Sequence, residues 1–509
     1  MNRVHMLQQL NESKTWDILI IGGGATGLGA AADAASRGYS TILIDESDFA
    51  KGTSSRSTKL VHGGVRYLEQ GNIKLVREAL KERGYLLQNA PHVTRKMGFV
   101  IPAFSFAQKI YYGTGLKLYD VLSGKLSLGA TKFLSKKETI NFLPGINDKK
   151  LSGGVMYYDG QFDDARLAID LAKTAAKYGA VLLNYCKANS LLKANTLPAG
   201  RQGKVYGVVA EDVLTNKTFE IKSNTVINAT GVFTDEVLKM DNNEAEKIVT
   251  PSQGIHLVID NKFFPGDYAL MIPKTDDKRV LFAVPWHNKV VLGTTDTPIE
   301  QTSVEPKPLE EEINFVLKHA SRYLKSNITL SDVTSMFAGL RPLVKMKGVK
   351  KTSLLNRDHT IIVSPSGLVS ITGGKWTTYR KMAEDAVNNA IFVGKFDYAD
   401  CKTQHLKIES GEFDHIDYAN EGELEKIYSA ENITKFIKEE MAMTIEDILA
   451  RRTRLLFLDA NKAIKLAPAV AERMAIVFTK DDQWMQKEIN NFILLAKGYL
   501  PLTIETLKN

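Results

Sequence analysis

Apolar residues follow several distinct patterns along this chain of 509 residues. Near the N terminus, the run ILII at 18–21 breaks into GGGATG, and an alanine-rich stretch follows. This order predicts a buried strand, a tight glycine turn and a helix. The run TILI at 41–44 then follows at the spacing of a β-α-β unit and ends at Asp45. The pattern therefore predicts a nucleotide-binding unit at the N terminus.

Later segments carry other patterns. Apolar residues recur at helical spacing over 72–89, which predicts a helix packed on the core. Short β-rich runs recur over 250–365 and predict an antiparallel sheet that forms a second domain. A helix is predicted over 376–389, directly after a pair of glycines. Beyond about residue 400, charged amphipathic helices with few glycines predict a separate helical domain.

Composition narrows the class of protein. Hydrophobic residues make up 44% and charged residues 24% of the chain, as in soluble globular proteins. No apolar run approaches the roughly 18 residues that a membrane span needs, and the polar start lacks the apolar segment of a secretory signal. Cys186 and Cys401 are the two cysteines and form no CxxC pair. We therefore expect a protein of the reducing cytoplasm, without a disulfide scaffold or a metal site.

The net charge of +8 favours anionic partners. Nucleic acid, acidic lipid and a phosphorylated metabolite all fit such a charge, and composition does not choose among them. Residues 95–125 interleave aromatic residues with lysines, which suits a membrane interface, but an ordinary half-buried segment fits as well. The cluster Arg451, Arg452 and Arg454 could contact acidic lipid or a partner, although a solvated helix face is the simpler interpretation.

The glycine motif has a specific chemistry. Gly22 permits the tight turn, Gly24 lets the backbone approach a pyrophosphate, and Gly27 allows the helix to pack closely on the strand. The N terminus of that helix then faces the anion. Asp45 is placed to accept hydrogen bonds from an adenosine ribose. The motif by itself does not distinguish NAD from FAD.

A family resemblance follows from the motifs taken together. GGGATG at 22–27 is paired with STKLVHGGVRYLE at 57–69, and further matches lie in INATGVFTDEV at 227–237, SQGIHLVI at 252–259 and VPWHNKVVLGTTDTP at 284–298. FAGLRPL and TGGKWTTYRKMAEDAV extend the matches to residue 387. In this order the chain closely resembles the FAD-dependent, quinone-linked glycerol-3-phosphate dehydrogenases.

The resemblance implies an α/β fold with a Rossmann-like FAD-binding domain of the glutathione-reductase or D-amino-acid-oxidase type. An antiparallel β-sheet substrate domain and a C-terminal all-α domain would complete it. The expected FAD-binding domain is discontinuous and comprises 1–95, 150–250 and 355–395. The substrate domain comprises 96–149 and 251–354, with a possible membrane-contact segment, and 400–509 form the helical domain.

The resemblance also implies which residues hold FAD. They lie in the glycine turn, the loop after Asp45, the return to the sheet near 230 and the helix start near 374. The expected set is Gly22, Gly24, Ala25, Thr26, Gly27, Asp45, Thr53, Ser54, Ser57, Lys59, Leu60, His62, Gly63, Gly64, Thr230, Gly231, Gly374, Lys375 and Thr377.

Oxidation of a secondary alcohol by flavin requires a base and a clamp for the substrate. His256 is the first candidate for the base, because imidazole has an unperturbed pKa near 6.5 and can take a proton at neutral pH; His62 is the second. Arg341 is expected to polarise the substrate oxygen or to stabilise reduced flavin. A phosphate dianion calls for fixed cations, and the family motifs supply the binding candidates Arg66, Tyr67, Arg357 and Lys375.

The expected activity is oxidation of sn-glycerol 3-phosphate to dihydroxyacetone phosphate, with the electrons passed through FAD to a membrane quinone. The family further implies peripheral contact with the inner face of the cytoplasmic membrane and a possible homodimer. Three alternatives remain open: an oxidase that uses oxygen, an amino-acid or glycine oxidase on the same fold, and a nucleotide-bound protein that binds RNA. We expect no binding of nucleic acid at physiological salt.

Overall fold

The computed structural model describes residues 1–11, 14–69, 71–194, 203–277, 279–345, 358–411, 416, 418 and 420–501. In these ranges the strands are β1 (Thr15–Ile21), β2 (Thr41–Ile44), β3 (Leu60–Val61), β4 (Thr94–Ala103), β5 (Lys132–Ser135), β6 (Gly153–Phe162), β7 (Val181–Leu183), β8 (Cys186–Lys193), β9 (Val205–Asp212), β10 (Lys217–Asn228), β11 (Val249–Asp260), β12 (Ala269–Ile272), β13 (Leu281–Trp286), β14 (Lys289–Gly293), β15 (Thr297–Pro298), β16 (Val333–Val344), β17 (His359–Val363) and β18 (Val369–Gly373).

The helices in the same ranges are α1 (Arg3–Gln8), α2 (Ala25–Arg37), α3 (Val65–Glu69), α4 (Ile73–Asn89), α5 (Phe106–Ser123), α6 (Lys136–Phe142), α7 (Asp164–Lys177), α8 (Thr234–Asp241), α9 (Glu310–Tyr323), α10 (Tyr379–Gly394), α11 (Glu421–Ile427), α12 (Ala430–Glu440), α13 (Leu455–Leu458), α14 (Ala460–Phe478) and α15 (Asp482–Lys497). A π-helical segment, Asp447–Arg452, precedes α13.

The first sheet has the strand order β17-β18-β10-β1-β2-β7, with β9 and β8 added beside β10. Strand β1 pairs in parallel with both β10 and β2, and β10 pairs in parallel with β18. Parallel strands of this kind are buried on both faces, which explains the uninterrupted apolar run of β1. Helices α2, α7 and α10 cover one face in a single apolar cluster with these strands. The carboxyl ends of β1, β2, β10 and β18 therefore meet at one edge of the sheet.

The second sheet has the order β15-β11-β14-β13-β12-β4-β6-β3, with β16 beside β11 and β5 beside β6. Its longest pairing is antiparallel and joins β11 to β16. Strand β6 pairs with β4 along its whole length and carries β3 on its other side. Strand β6 therefore belongs to the second sheet, whereas the expected boundary at residue 150 assigned it to the FAD-binding domain. The sequence could not indicate this, because the pairing partners of β6 are distant along the chain and leave no local signal.

The C-terminal helices form their own apolar cluster, which reaches the second sheet through Phe457 and Phe337. The centroids of these two rings are 5.1 Å apart. Helix α14 contains Pro468 and packs along α15 and α12. The helical domain is thus joined to the rest of the molecule by a shared core.

Three arginines join this domain to the first sheet. Arg451 Nε lies 2.5 Å from Asp48 Oδ2, Arg452 also pairs with Asp48, and Arg454 Nε lies 2.8 Å from Asp163 Oδ2. All three arginines are buried. The interpretation of this cluster as a solvated face, or as a contact for lipid, is therefore wrong; the side chains neutralise buried carboxylates of another domain.

Residues 95–125 divide into two parts. Strand β4 is buried in the second sheet, whereas the helix α5 presents apolar side chains to solvent. The exposed apolar residues of α5 are Phe106, Ile110, Tyr111, Leu118 and Val121. Exposed lysines lie on and near this helix, namely Lys117, Lys125, Lys132, Lys136 and Lys137. No helix among the described residues is long and apolar enough to cross a membrane.

Candidate active site

The glycine turn between β1 and α2 forms the floor of a groove at the carboxyl edge of the first sheet. Gly22 has φ of +111°, and a Cβ atom there would lie 2.7 Å from the carbonyl oxygen of Ala229. Only glycine fits both the conformation and the space. A Cβ at Gly27 would overlap the carbonyl oxygen of Gly22, so the turn and the helix pack as the motif predicts.

Asp45 lies at the end of β2 and lines the same groove. Its Oδ2 accepts a hydrogen bond from the amide of Gly23 (2.6 Å), and its Oδ1 accepts one from the amide of Ser47 (2.7 Å). Burial raises the pKa of Asp45 to about 7, although these two amide donors oppose the shift. Each carboxylate oxygen keeps acceptor capacity for a further donor.

The nucleotide groove, as we name it, continues from Asp45 past the glycine turn to the start of the segment after β18. Of the expected FAD-binding residues, those that line it are Gly22, Gly24, Ala25, Thr26, Asp45, Thr53, Ser54, Thr230, Gly231, Gly374 and Lys375. The groove opens into a second space, the inner cavity, with which it shares Thr53, Pro342, Gly374, Lys375 and Trp376. The two spaces therefore form one continuous site.

The inner cavity is lined by strands of the second sheet and by the segments 53–67 and 374–377. The predicted residues that line it are Thr53, Ser57, Leu60, His62, Gly64, Tyr67, His256, Arg341, Gly374, Lys375 and Thr377. Both candidate bases and three of the expected binding or catalytic side chains therefore share one space, although their motifs are distributed over most of the chain. The structure thus places in one cavity residues whose motifs are far apart in the sequence.

His256 lies on β11 and is almost fully buried. Its ring is stacked on Phe337, with centroids 5.0 Å apart, and its Nε2 lies 2.9 Å from the hydroxyl oxygen of Thr58. Burial lowers the pKa of His256 well below its usual value, and the cations Lys59 and Arg341 lower it further. The imidazole is consequently neutral at physiological pH.

Arg341 lies on β16, the strand next to the β11 strand of His256, where it pairs with Ser252. Its guanidinium donates to the Gln253 carbonyl oxygen (3.3 Å) and to the Thr294 hydroxyl (3.1 Å), and it lies 3.6 Å from Asp296 Oδ1. These contacts hold one side of the guanidinium. About a quarter of the side chain remains accessible from the cavity, as a substrate contact requires.

Lys375 and Tyr67 also line the inner cavity, and the Lys375 ammonium lies 4.1 Å from the centroid of the Tyr67 ring. A cation held over an aromatic face is ordered without losing its charge. The backbone of Arg66 lies next to Tyr67 in α3, but its side chain is outside the described residues, as is the whole of Arg357. Their expected contacts with phosphate therefore stay predictions.

Gly27, Lys59 and Gly63 belong to the expected cofactor-binding set but line neither space. Lys59 Nζ is buried and donates to both carboxylate oxygens of Asp164, at 2.7 and 2.9 Å. It also lies over the rings of Trp286, Phe337 and Phe457. Lys59 thus lies outside the cavity lining, and its positive charge lowers the pKa of the neighbouring His256.

Several lining residues were not predicted as members of the site. Thr58, Arg279, Thr294 and Asp296 line the inner cavity together with an apolar end. That end consists of Leu60, Val65, Phe99, Tyr157, Met271, Val280 and Phe282. Thr294 and Asp296 lie in the motif VPWHNKVVLGTTDTP and could have been taken from it. Leu60 and Val65 lie in the motif at 57–69, but Arg279 and the other residues of the apolar end carry no local sequence signal.

Comparison with known proteins agrees with this geometry. Residues 17–380 match the family described as FAD dependent oxidoreductase, and residues 406–485 match the C-terminal domain of alpha-glycerophosphate oxidase. Mitochondrial glycerol-3-phosphate dehydrogenases from Macaca fascicularis and Homo sapiens are each 38% identical to this chain, over 98% of it and 76% of their own length. The chain belongs to the FAD-dependent glycerol-3-phosphate dehydrogenase family. The resemblance inferred from the motifs is confirmed.

Solved structures of other proteins are similar to the fold of this chain. The glycerol-3-phosphate dehydrogenase of Bacillus halodurans, solved in complex with FAD, is 31% identical, has a TM-score of 0.79 and is matched over 98% of both chains. The L-alpha-glycerophosphate oxidase of Mycoplasma pneumoniae, at 18% identity and a TM-score of 0.60, shares the fold. The expected fold class, with its helical C-terminal domain, is confirmed.

The nucleotide groove fits the cofactor of this family. Its glycine turn leaves room that a Cβ atom would fill, the start of α2 faces it, and Asp45 offers acceptors at the far end. The opening into the inner cavity provides a place for a redox ring next to His256 and Arg341. FAD is therefore the cofactor that these dehydrogenase-family residues are arranged to hold.

Proposed function

We propose that the protein oxidises sn-glycerol 3-phosphate to dihydroxyacetone phosphate with FAD and then passes the electrons to a membrane quinone. The observation that carries the substrate assignment is the inner cavity itself. It holds the cations Arg341 and Lys375 and the neutral imidazole His256 in one space at the end of the nucleotide groove. The names of the 38% identical relatives support the same substrate.

The charge of the cavity favours a phosphorylated alcohol over an amino acid. A phosphate dianion is best held by fixed cations, and Arg341 can bind two oxygens at once. Lys375 is ordered over the ring of Tyr67 and adds a second positive charge. An amino-acid substrate would also need an acceptor for its ammonium group. In the inner cavity Asp296 is engaged by Ser252 and Asp159 by Arg83, so neither carboxylate supports that alternative.

Three side chains of the inner cavity have separate roles in the oxidation. The hydroxyl proton of the substrate leaves to His256, whose neutral Nε2 is already hydrogen-bonded to Thr58. Arg341 polarises the C2 oxygen as it becomes a carbonyl, and Lys375 holds the phosphate. When bound, FAD supplies the redox chemistry by accepting the hydride from C2.

Two surfaces support a quinone and a lipid contact. The apolar end of the inner cavity offers aromatic and aliphatic walls to a quinone ring, beside the site of hydride transfer. Outside, helix α5 exposes Phe106 and Val121 with 71% and 74% of their surfaces accessible, and the exposed lysines around it complement anionic lipid. This combination supports peripheral association with a membrane.

The oxidase alternative also has an observation behind it. The C-terminal domain matches that of alpha-glycerophosphate oxidase over residues 406–485. Both activities share the reduction of the flavin and differ in what reoxidises it. We rank the quinone first because the cavity has an apolar end and because α5 presents an apolar, cationic surface to its surroundings.

Anaerobic mixing with glycerol 3-phosphate tests the first half of the proposal. The flavin absorbance of the purified holoenzyme should bleach with glycerol 3-phosphate and not with glycerol or with glycine. An unbleached flavin rejects the substrate. The reduced enzyme is then mixed with a short-chain ubiquinone or with oxygen at the same concentration. Faster reoxidation by the quinone is expected, and the reverse order favours the oxidase.

Sedimentation with vesicles tests the membrane contact. The wild-type holoenzyme should sediment with phosphatidylglycerol vesicles and less with phosphatidylcholine vesicles. The double substitution Phe106→Ser, Val121→Ser should release it, since the exposed apolar surface of α5 is removed. Phe392→Ser is the matched control, because Phe392 is equally exposed on a different helix, α10. Loss of sedimentation in the control alone, or in neither variant, contradicts the role of α5.

A further inference from the structure

The turn formed by residues 62–64 separates the inner cavity from the core beneath helices α4 and α5. His62 and Gly64 line the cavity, whereas Gly63, between them, faces the core. A Cβ atom at Gly63 would lie 2.5 Å from the hydroxyl oxygen of Tyr119. Only glycine therefore allows this turn to approach Tyr119 so closely.

The amides of the turn are held by side-chain hydroxyl groups. Gly63 N donates to the Tyr119 oxygen at 2.8 Å, and His62 N donates to the Thr377 Oγ1 at 3.2 Å. The Gly63 amide is thus held from the core side, and the His62 amide is held by Thr377, which also lines the inner cavity. The direction in which His62 projects follows from these two contacts, because the peptide planes on both sides of it are fixed.

Tyr119 is itself held in place by a buried ion pair. Its hydroxyl donates to Asp159 Oδ2 at 2.6 Å, and Arg83 donates to Asp159 Oδ1 at 2.8 Å. Tyr119, Asp159 and Arg83 are each about 1% exposed. Burial raises the pKa of Tyr119 well above its usual value, so the hydroxyl stays protonated and its oxygen remains an acceptor for Gly63. The three side chains come from α5, β6 and α4, so the contact depends on three separate elements.

We propose that Tyr119 is a positioning residue for the reaction: its hydroxyl fixes the turn at 62–64 and thereby the place of His62 at the inner cavity. The proposal rests on the proposed function, because substrate-driven flavin reduction is one of its readouts. Tyr119 lies outside the cavity and acts through the Gly63 amide. Loss of its hydroxyl should displace the turn without removing any group that contacts the substrate.

The substitution Tyr119→Phe in the holoenzyme tests this role. We expect the first-order rate of flavin reduction by glycerol 3-phosphate to fall about tenfold, with the substrate concentration for half-maximal rate changed by less than about twofold. Tyr85→Phe is the matched control, since that hydroxyl is on α4 and contacts Gln404 instead. A rate in Tyr119→Phe within about twofold of the wild type and of the control overturns the proposal.

Hydrogen exchange provides a readout that does not depend on the substrate. Peptides that contain Gly63 should take up deuterium faster in Tyr119→Phe than in the wild type, and Tyr85→Phe should leave them unchanged. Unchanged uptake in Tyr119→Phe overturns the proposal. If Tyr119→Phe fails to retain flavin, hydrogen exchange in the wild-type holoenzyme tests the proposal instead. Fast exchange of its Gly63 amide is incompatible with the 2.8 Å hydrogen bond to Tyr119 and overturns the proposal. If glycerol 3-phosphate reduces neither enzyme, the proposed function fails while the exchange experiment still tests Tyr119.

Discussion

The hydroxyl oxygen of Thr58 lies 2.9 Å from Nε2 of His256, at the wall of the inner cavity. Nδ1 of the same ring is buried and has no hydrogen-bond partner among the residues that the structure describes. Thr58 is therefore the group that orients the imidazole, with Phe337 stacked against its face. Since burial keeps the ring neutral, its orientation decides which nitrogen can accept a proton.

Replacement of Thr58 should slow oxidation of the substrate. In Thr58→Val the imidazole loses its polar partner, and we expect flavin reduction to slow by about tenfold or more. Thr58→Ser keeps the hydroxyl and should stay close to the wild type. Stopped-flow reduction under anaerobic conditions measures both variants. Equal rates for Thr58→Val and Thr58→Ser would show that the hydroxyl has no part in orienting His256.

The pKa of Asp45, raised to about 7 by burial, makes cofactor binding depend on pH. A ribose hydroxyl donates best to the ionised carboxylate, and the ionised fraction falls as the pH drops below 7. Binding of FAD to the apoprotein should therefore be about tenfold weaker at pH 6 than at pH 8. Fluorescence titration at the two values measures this, and Asp45→Asn should remove the dependence. A tenfold difference that persists in Asp45→Asn assigns the effect to another group.

Removal of Arg341 should affect turnover more than stability. Arg341→Ala takes away a charge from the developing carbonyl, for which we expect a loss of about 100-fold in kcat. Arg341→Lys retains the charge but loses the paired geometry, so an intermediate rate is expected. Arg473→Ala on α14 serves as the control, because its guanidinium contacts a helix carbonyl far from the cavity in sequence. Near-normal turnover in Arg341→Ala would remove this residue from the site.

Loss of a buried arginine at the domain contact should destabilise the whole molecule. Arg452→Ala leaves Asp48 with one of its two guanidinium partners, and we expect the free energy of unfolding to fall by about 3 kcal/mol. Lys435→Ala removes a half-exposed pair with Glu431 and should cost less than about 1 kcal/mol. Thermal or urea unfolding of the holoenzymes compares the two. Similar losses in both variants would refute the special role of Asp48.

Local motifs predicted the parts of the fold that depend on local geometry. The turn at Gly22 requires a positive φ and a close approach to Ala229, so its sequence is restricted wherever the turn occurs. Cofactor-lining residues such as Thr53 and Gly374 were predicted by family resemblance, and they line the space where groove and cavity meet.

Long-range pairing had no such local signal. Strand β6 is apolar and could belong to either sheet, and only its register with β4 decides. In the sequence, Arg451, Arg452 and Arg454 resemble the charged residues of a solvated helix face. Their ion pairs could not be predicted, because the partners Asp48 and Asp163 are about 290 to 400 residues away in sequence. The prediction that Lys59 contacts the cofactor fails for a related reason. The sequence of its loop does not indicate that the side chain pairs with Asp164.

The ion pairs of Asp48 also bear on how the protein is made. The loop that contains Asp48 lines the nucleotide groove at Ser47 and Ala50, yet its counter-charges belong to residues 451 and 452. During synthesis from the N terminus, the groove residues leave the ribosome hundreds of residues before those arginines do. Domains usually fold in that order as they emerge. Here the acid of a loop beside the cofactor site is paired with arginines from the last part of the chain, so a truncated product would carry that acid without its counter-charges.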